Sequence, residues 1–536
     1  MKRLTALSIL IVLAIAACKT DTSKNEPVVS TKEKVPVVTK KDVTITDSNS
    51  YSDLFLDTSM VRTFIDTSNL NSDVAESMRS FYNLRNFQFA WFASDGMTEQ
   101  ARSFWNLASY KKDSSLANKT LSRKMKALIE EDSLKVKKSD TSIVRTELML
   151  TEYFVKSMLK DYKSAGEGKS DWAYIIPRKK DSIMALANQF ATKQDGAFDD
   201  ANQSYKQLKD ELAKYVSIAK NGGWEPVLTD KKLYKRNTAS PAVASLQKRL
   251  KITGELDAAD SSKVYDTALV EAVKMYQNSV GIKPDGTVSD ALIKQLNVPV
   301  QKRIEQILIN LDRMRWLPEN QGSNYILANI PEFKIHVYDS SKEQFEMKTV
   351  VGKEGHSTVI FTGNLNQVVF APYWNIPSSI VKKEIIPGIK RNGNYLANHN
   401  MEVVNGRYRQ KPGGSNSLGH VKFLFPNDFD IYFHDTPAKS LFNRDNRAYS
   451  HGCIRLAEPA KMANYLLRND TAWDAHRIDS AMNGHKEKTV FLKKSVPVLI
   501  TYYTAWVNDG QLNFRNDIYG KDSLVAKKMF LNPIYR

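Results

Sequence analysis

The 536-residue sequence is poor in cysteine, with only Cys18 and Cys453. Beyond its first eighteen residues it also lacks any apolar run long enough to cross a membrane. Two cysteines exclude the disulfide framework that stabilises many small secreted domains. The hydrophobic content of 42% excludes a largely disordered chain, and the length of 536 residues predicts three or four domains.

Residues 1–18 have the pattern of an export signal. Lys2 and Arg3 precede the apolar run LTALSILIVLAIAA, which ends in small residues directly before Cys18. This ending resembles the lipobox of bacterial lipoproteins, which implies cleavage before Cys18 and lipid attachment to its thiol. An ordinary secretory signal is the alternative. We therefore expect an exported bacterial lipoprotein that faces the periplasm and is anchored to the inner or the outer membrane.

Lipidation of Cys18 would leave Cys453 as the only free thiol in an oxidising compartment. A lone thiol is prone to oxidation there, so its presence hints at a chemical use. The alternative is a small buried apolar residue, which is a common role for a free cysteine.

The charge of the chain is strongly positive, because 77 Lys and Arg face 59 Asp and Glu, a net charge of +18. Nucleic acid is one possible partner for such a chain. Export argues against nucleic acid and favours anionic cell-wall polymers or lipid headgroups. Since the basic residues are spread along the sequence, we expect much of this charge on a solvated surface.

The chain between the export signal and residue 325 divides into four regions. Residues 19–50 are rich in Lys, Thr and Val without a lasting apolar period and predict a flexible tether. Residues 51–235 place apolar residues three and four apart and predict a helical scaffold domain, with no polar cluster that suggests catalysis. Residues 240–300 predict a three-helix module, and residues 301–324 a linker helix.

The segment QKRL…AVKMYQ…GIKPDGTVSDALIKQLN within 240–300 resembles the three-helix peptidoglycan-binding domain. The resemblance implies the fold of that domain. Wall binding and a purely structural packing role both remain open for the module.

Residues 325–536 change to an alternation of period two, as in FKIHVYD and DIYFHD, which predicts a β-rich domain. A polar, glycine-bearing insertion at 376–420 interrupts the strands and is typical of a lid or binding loop. The predicted fold class is multidomain α+β, with a helical N-terminal scaffold, a small three-helix module and a β-rich catalytic domain.

The segment DIYFHDTPAKSLFNRDNRAYSHGCIRL, residues 430–456, carries most of the candidate chemistry. If 431–434 is a strand, Tyr432 and His434 share one face. Cys453 follows a return loop, so His434 could take its proton as the base of a Cys–His pair. Asp435 is the local acceptor that could orient the imidazole, by its carboxylate or its backbone carbonyl.

Groups around the thiol could complete such a site. Backbone N–H groups near Gly452 and Cys453 could stabilise an oxyanion, and Arg455 could bind a substrate carboxylate. Two alternatives are a buried structural Cys453 and an ordinary ion pair for Arg455. A third alternative is a zinc site, with the candidate ligands Cys453, His451, His434 and His420.

The order of residues in HDTPAKSLFNRDNRAYSHGCIRL resembles the signature of L,D-transpeptidases with a YkuD-type catalytic domain. That signature is a His, a loop, Ser-His-Gly-Cys, an apolar residue and then Arg or Asn, and the separation of 19 residues between His434 and Cys453 fits it. Segments such as VVFAPYWNIP and FYNLRNFQFAW extend the likeness to the large, scaffold-bearing murein enzymes over most of residues 80–536.

The resemblance implies that Cys453 is the nucleophile and His434 its general base, and that the insertion 376–420 is a capping subdomain. Further residues that it implies around the substrate or the oxyanion are His451, Gly452, Arg455, Tyr432 and Trp374. It also implies 3→3 cross-linking of peptidoglycan stem peptides through a cysteinyl thioester, with no metal or organic cofactor, and acylation of the thiol by carbapenem-type inhibitors. An L,D-carboxypeptidase and a non-catalytic wall-binding lipoprotein are the alternatives.

Overall fold

A computed structural model describes residues 38–111, 119–130, 134–165, 175–192, 202–318 and 322–534. The predicted export signal, Cys18 and residues 19–37 lie outside these ranges. The described residues contain no helix that is long and apolar enough to cross a membrane. The predicted multidomain α+β class is confirmed, with helices in the N-terminal region and a β-rich C-terminal domain.

Helices dominate the region up to residue 220. Its elements are α1 (Thr58–Thr67), α2 (Ser72–Leu84), β1 (Phe92–Ala93), β2 (Gly96–Met97), α3 (Glu99–Tyr110), α4 (Lys119–Glu130), α5 (Thr141–Ala165), α6 (Ile183–Thr192) and α7 (Gln203–Lys220). Asn71 and Thr98 cap α2 and α3 by accepting backbone N–H groups. Trp91 stacks on Phe104 at 5.3 Å in the aromatic core between these helices.

Residues 38–50 pack against this helical region, which corrects the prediction of a flexible tether for that part of the chain. The Asp42 N–H donates to the Asn83 carbonyl at 2.9 Å, and the Asn86 amide donates to the Ile45 carbonyl at 2.7 Å. The Ile45 side chain is fully buried. One buried isoleucine among polar residues produces no periodic pattern, so the sequence carried no signal of this packing.

The three-helix module comprises α8 (Pro241–Thr253), α9 (Thr267–Ser279) and α10 (Asp290–Leu296), and α11 (Val300–Met314) follows it. A side chain caps each helix of the module at its N-terminus, from Ser240, Asp266 and Ser289. Arg515 of the C-terminal segment donates to the Ser279 carbonyl at 2.9 Å, so the module is fixed to the β-rich domain.

The β-rich domain is built around one large sheet. Its strands are β3 (Tyr325–Asn329), β4 (Lys334–Asp339), β5 (Lys342–Gly352), β6 (Phe361–Phe370), β10 (Val421–Leu424), β11 (Phe433–His434), β12 (Ala448–Ser450), β13 (Ile454–Leu456) and β14 (Lys488–Thr501). Within the described residues these nine strands follow the order β12-β5-β13-β11-β10-β6-β14-β3-β4, and β4 also pairs with β5. The sheet therefore closes on itself and encloses an apolar core that includes Phe370, Phe423 and Phe433.

Two helices pack against the apolar core of this sheet, and a hairpin and a third helix follow the sheet in the chain. They are α15 (Pro459–Leu467), α16 (Ala475–Met482), the hairpin of β15 (Ala505–Asn508) and β16 (Gln511–Phe514), and α17 (Lys521–Met529). The hairpin and α17 share an apolar core with α6, α7 and α11. This shared core joins the C-terminal segment to the helical region.

Residues 374–410, which overlap the predicted insertion 376–420, form short helices and a small sheet between β6 and β10 in the chain. They contain β7 (Trp374–Asn375), α12 (Ser378–Ile380), a π-helical turn (Val381–Ile385), α13 (Ile386–Arg391), α14 (Tyr395–Asn398), β8 (Met401–Val404) and β9 (Arg407–Gln410). Their strands form a sheet of order β7-β9-β8. A separate apolar cluster around Ile376, Ile380 and Ile385 gives the insertion its own core.

Candidate active site

Four side chains of the predicted site share one face of the sheet. Strands β11 and β13 run parallel, and their register places His434 beside Arg455. Because side chains alternate along a strand, Tyr432 and His434 lie on one side of β11, and Cys453 and Arg455 lie on the matching side of the neighbouring chain segment. The rings of Tyr432 and His434 are 5.8 Å apart.

His434 is buried, and one ring nitrogen is already bound. Its Nδ1–H donates to the backbone carbonyl of Asp435 at 2.5 Å, which assigns the proton of the neutral ring to Nδ1 and leaves Nε2 as an acceptor. Burial, together with the charge of Arg455, lowers the pKa of His434 to about 3. The imidazole is therefore neutral over the physiological range, with the lone pair of Nε2 able to accept a hydrogen bond.

The Cys453 thiol is protonated at rest. The thiol donates to the Asp430 carbonyl at 3.6 Å, and burial raises its pKa to about 11 despite the nearby Tyr432 and Arg455. In the described residues no hydrogen bond joins the thiol to His434. The resting site therefore contains a neutral thiol and a neutral imidazole that are not hydrogen-bonded to each other.

The loop before the thiol has a defined conformation. Ser450 Oγ accepts the Gly452 N–H at 3.1 Å and donates to the Cys453 carbonyl at 2.5 Å. Gly452 has φ = 115°, a conformation that residues with a Cβ rarely adopt. Thr358 Oγ1 donates to the Gly452 carbonyl at 2.7 Å.

This geometry corrects the predicted role of Gly452 as an oxyanion donor. Its N–H already binds Ser450, so its contribution is conformational. The Cys453 N–H has no acceptor within the described ranges and is the donor available for an oxyanion.

Arg455 lies beside the thiol without a carboxylate partner in the described part of the chain. Its Nε is buried and has no hydrogen-bond acceptor. Burial lowers the pKa of its guanidinium, and the neighbouring Cys453 opposes that shift. The alternative of an ordinary ion pair is therefore not supported by the described residues, and the guanidinium is available to an anionic group of a substrate.

The carboxylate of Asp435 is not the group that orients His434. Its backbone carbonyl orients His434, whereas its carboxylate binds the Lys439 ammonium at 2.5 Å and the His420 N–H at 2.9 Å. A Cβ on Gly419 would lie 2.3 Å from that carboxylate. Asp435 therefore joins His434 to the C-terminal stem of the insertion.

His451 and Trp374 face the capping insertion. His451 is exposed, its Nε2 lies 3.5 Å from Glu384 Oε1 of the π-helical turn, and its ring is 5.3 Å from that of His356. Burial lowers the pKa of His451, and Glu384 opposes the shift. Trp374 begins the subdomain sheet and packs against the apolar cluster of the insertion.

The ligand atoms proposed for zinc do not converge. Among the described residues, the group of three such side chains whose ligand atoms lie within 4.8 Å of one another is Glu332, His336 and Glu346, away from the thiol. In that group His336 donates to Glu332 at 3.0 Å, and Glu346 binds Lys334 at 2.7 Å. Glu332 and His336 therefore form one ion pair, and Glu346 forms another with Lys334.

Comparison with known families agrees with this geometry. Residues 323–481 match the family described as the L,D-transpeptidase catalytic domain. Residues 76–212 match a scaffold domain, and residues 239–296 match a family described as "Putative peptidoglycan binding domain". The predicted resemblance is confirmed at the level of domains: residues 323–481 match a YkuD-type L,D-transpeptidase catalytic domain, and the scaffold and peptidoglycan-binding-like matches precede it.

Among curated proteins, a "Putative L,D-transpeptidase" of Haemophilus influenzae is 30% identical over 238 residues, which are 41% of this chain and 48% of the relative. The match thus spans about half of that relative's length. The L,D-transpeptidase of Stackebrandtia nassauensis is 12% identical over 54% of this chain and 100% of its own, with a TM-score of 0.23. L,D-transpeptidase 3 of Mycobacterium tuberculosis with a faropenem-derived adduct is 15% identical over 33% and 60%, with a TM-score of 0.19. Scores this low carry no argument about the fold.

Proposed function

We propose that this protein is a peptidoglycan L,D-transpeptidase that forms 3→3 cross-links between stem peptides through a cysteinyl thioester. The observation that carries the proposal is the position of Cys453 and His434 on adjoining segments of one sheet face, with His434 Nε2 free to accept a proton. The match of residues 323–481 to the catalytic family supports the same chemistry.

Acylation begins when His434 Nε2 takes the thiol proton as sulfur attacks the carbonyl carbon of the third stem residue. The neutral pair predicts that proton transfer accompanies attack, because neither a stable thiolate nor an imidazolium is present at rest. The carbonyl oxygen gains negative charge, and the Cys453 N–H donates to it.

The tetrahedral intermediate collapses when the amide C–N bond breaks. The imidazolium of His434 protonates the departing amine, which leaves as the terminal D-residue, and the acyl group stays on Cys453 as a thioester. A side-chain amine of a neighbouring stem then attacks the thioester and gives its proton to His434. Breaking the C–S bond returns that proton to sulfur and completes the new amide.

Arg455 is the group that we assign to a substrate carboxylate. It lies beside the reacting sulfur, and its buried Nε lacks a partner in the described residues. A stem peptide ends in a carboxylate one residue beyond the scissile bond, so a bidentate pair with Arg455 would hold that bond near the thiol.

The test compares wild type with Cys453→Ala on muropeptides that carry tetrapeptide stems. Wild type should give cross-linked dimers and free D-alanine by mass spectrometry, and Cys453→Ala should give neither. Tripeptides without dimers would identify an L,D-carboxypeptidase, in which water resolves the same thioester. Identical products from both proteins would contradict the enzymatic proposal and favour a non-catalytic wall-binding lipoprotein.

Carbapenem-type inhibitors offer a direct test of the nucleophile. The carbonyl of a strained lactam is open to the same thiol attack, so we propose that these compounds acylate Cys453. Intact-mass measurement should show one adduct on wild type and none on Cys453→Ala. An adduct on both proteins would place the reaction elsewhere.

We also propose that the protein is exported and anchored by a lipid on Cys18, because the sequence before Cys18 resembles a lipobox. The mature N-terminus in a membrane fraction should then carry the mass of a lipidated cysteine. Cys18→Ala should release the protein from that fraction. A membrane-bound Cys18→Ala protein would contradict the lipid-anchor proposal and would have no bearing on the catalytic proposal.

A further inference from the structure

Thr358 connects the end of β5 to the catalytic loop. Its hydroxyl accepts the Gly352 N–H at 2.9 Å and donates to the Gly452 carbonyl at 2.7 Å. The side chain is completely buried, so water does not compete for either bond. The hydroxyl therefore accepts one hydrogen bond and donates another, and its two backbone partners lie far from each other in the sequence.

The direction of the Gly452 carbonyl determines the direction of the next N–H. In a trans peptide the carbonyl and the following N–H point to opposite sides of the bond. Since Thr358 holds the Gly452 carbonyl, it turns the Cys453 N–H away from Thr358. We propose that Thr358 is a positioning residue that aims the Cys453 N–H at the oxyanion formed during acyl transfer, an inference that rests on the proposed function.

Tyr519 supports the same arrangement from the C-terminal segment. Its hydroxyl donates to the Gly352 carbonyl and lies 3.4 Å from the Thr358 N–H, which it accepts. Its own N–H donates to the Tyr502 hydroxyl at 2.8 Å, and the two rings stack at 5.6 Å. Tyr519 thus holds both the β5 end and Thr358, although it lies outside the matched range 323–481.

The hydroxyl of Thr358, and not merely its bulk, is the feature to be tested. Thr358→Val keeps the branched shape and removes the hydroxyl, whereas Thr358→Ser keeps the hydroxyl and removes a methyl group. An oxyanion donor typically contributes about 100- to 1000-fold to kcat. We expect Thr358→Val to lower the acylation rate by about 100-fold, with little change in KM, and Thr358→Ser to stay within about threefold of wild type.

Alkylation by iodoacetamide separates positioning from folding. This reaction displaces iodide from a saturated carbon and forms no oxyanion, so it needs the thiol but not the Cys453 N–H. The alkylation rate of Thr358→Val should remain within about twofold of wild type while acylation falls. An unchanged acylation rate, or equal losses in both reactions, would overturn the proposal.

A spectroscopic measurement on the full chain keeps the inference testable apart from activity. Labelling with [15N]cysteine reports on Cys18 and Cys453 alone, and the spectrum of Cys453→Ala identifies which amide signal belongs to Cys453. That signal should move in Thr358→Val and stay near its wild-type position in Thr358→Ser. A signal that does not move in Thr358→Val overturns the proposal.

Tyr519→Phe supplies a second variant if Thr358→Val folds poorly, because it removes one hydroxyl and keeps the stacked ring. It should move the Cys453 amide signal in the same direction by a smaller amount, and an unmoved signal would count against the proposal. Failure of wild type to form any product would refute the proposed function, and the amide measurement would still decide the role of Thr358.

Discussion

The resting protonation of the thiol offers the sharpest prediction. Burial raises the pKa of Cys453 from its ordinary 9.0 to about 11, so the thiol should titrate far above neutrality. The alkylation rate with iodoacetamide should therefore keep rising with pH through 9 and 10, because the thiolate is the species that reacts.

The magnitude follows from the shift of about two pKa units. At pH 8 a thiol of pKa 11 is about 0.1% thiolate and one of pKa 9.0 is about 10%, a difference of roughly 100-fold. A more basic thiolate is a better nucleophile. With a Brønsted coefficient near 0.45, its higher reactivity offsets about 8-fold of this difference in alkylation rate. We expect Cys453 to react about 10-fold more slowly at pH 8 than an unperturbed thiol.

The assay measures iodoacetamide alkylation of the full chain between pH 6 and 10.5 by intact mass. Cys453→Ala, measured in parallel, removes any signal that Cys18 contributes, and glutathione provides the reference rate. Circular dichroism at each pH limits the comparison to folded protein.

An inflection below pH 7 would refute this reasoning. It would show that the pair exists as thiolate and imidazolium, with His434 protonated at rest. The general-base step derived from a neutral imidazole would then be wrong, because the proton would already have moved before substrate binds.

Three further predictions follow from the surroundings of the site. Gly419→Ala should destabilise the capping insertion by about 1–3 kcal/mol, since φ is 61° and a Cβ would meet a buried carboxylate, whereas Gly414→Ala, with open space around it, should leave the melting temperature unchanged. The pKa of His434 is lowered to about 3, so the folded protein keeps the ring neutral while the unfolded chain protonates it below about pH 6.5. The free energy of unfolding should therefore be highest above pH 6.5 and should fall as pH drops toward 3, by at most about 5 kcal/mol. His434→Gln should flatten acid unfolding over that pH window. Glu384→Gln should raise KM more than it lowers kcat, because it weakens the 3.5 Å contact between the insertion and His451, and an unchanged KM would exclude a closing role for that contact.

The sequence alone predicted part of the shared face of the site. Alternation along DIYFHD placed Tyr432 and His434 together, and the structure brings Cys453 and Arg455 to the same face. The parallel pairing of β11 with β13 could not be predicted, because the register depends on strands that come from distant parts of the chain.

Two roles depended on geometry that residue types do not specify. Asp435 offered a carboxylate and a backbone carbonyl to His434, and only the fold shows that the carbonyl is used while the carboxylate binds the stem of the insertion. Gly452 suggested close backbone approach, but its φ of 115° and its bond to Ser450 leave the oxyanion to the next N–H.

Thr358 could not have been found from the sequence. It lies in a loop 94 residues from the carbonyl that it binds, and a single threonine in a loop has no periodic or motif signal. Asp430, whose carbonyl accepts the thiol, is similar: the contact uses a backbone atom, so the identity of the side chain gives no hint of it.

The absence of catalytic motifs in the helical scaffold does not make that domain a passive spacer. Glu99 of α3 binds the Arg313 guanidinium at 2.5 Å, and Arg313 lies 5.2 Å from the Tyr502 ring. Tyr502 accepts the Tyr519 N–H, and Tyr519 contacts Thr358 behind the thiol loop. Arg313 also binds the Asp522 carboxylate at 2.6 Å, so loss of Glu99 would leave the guanidinium with one of its two carboxylate partners and would weaken the support of Tyr519. The scaffold is therefore connected through these contacts to Thr358, without contributing a side chain to the candidate site.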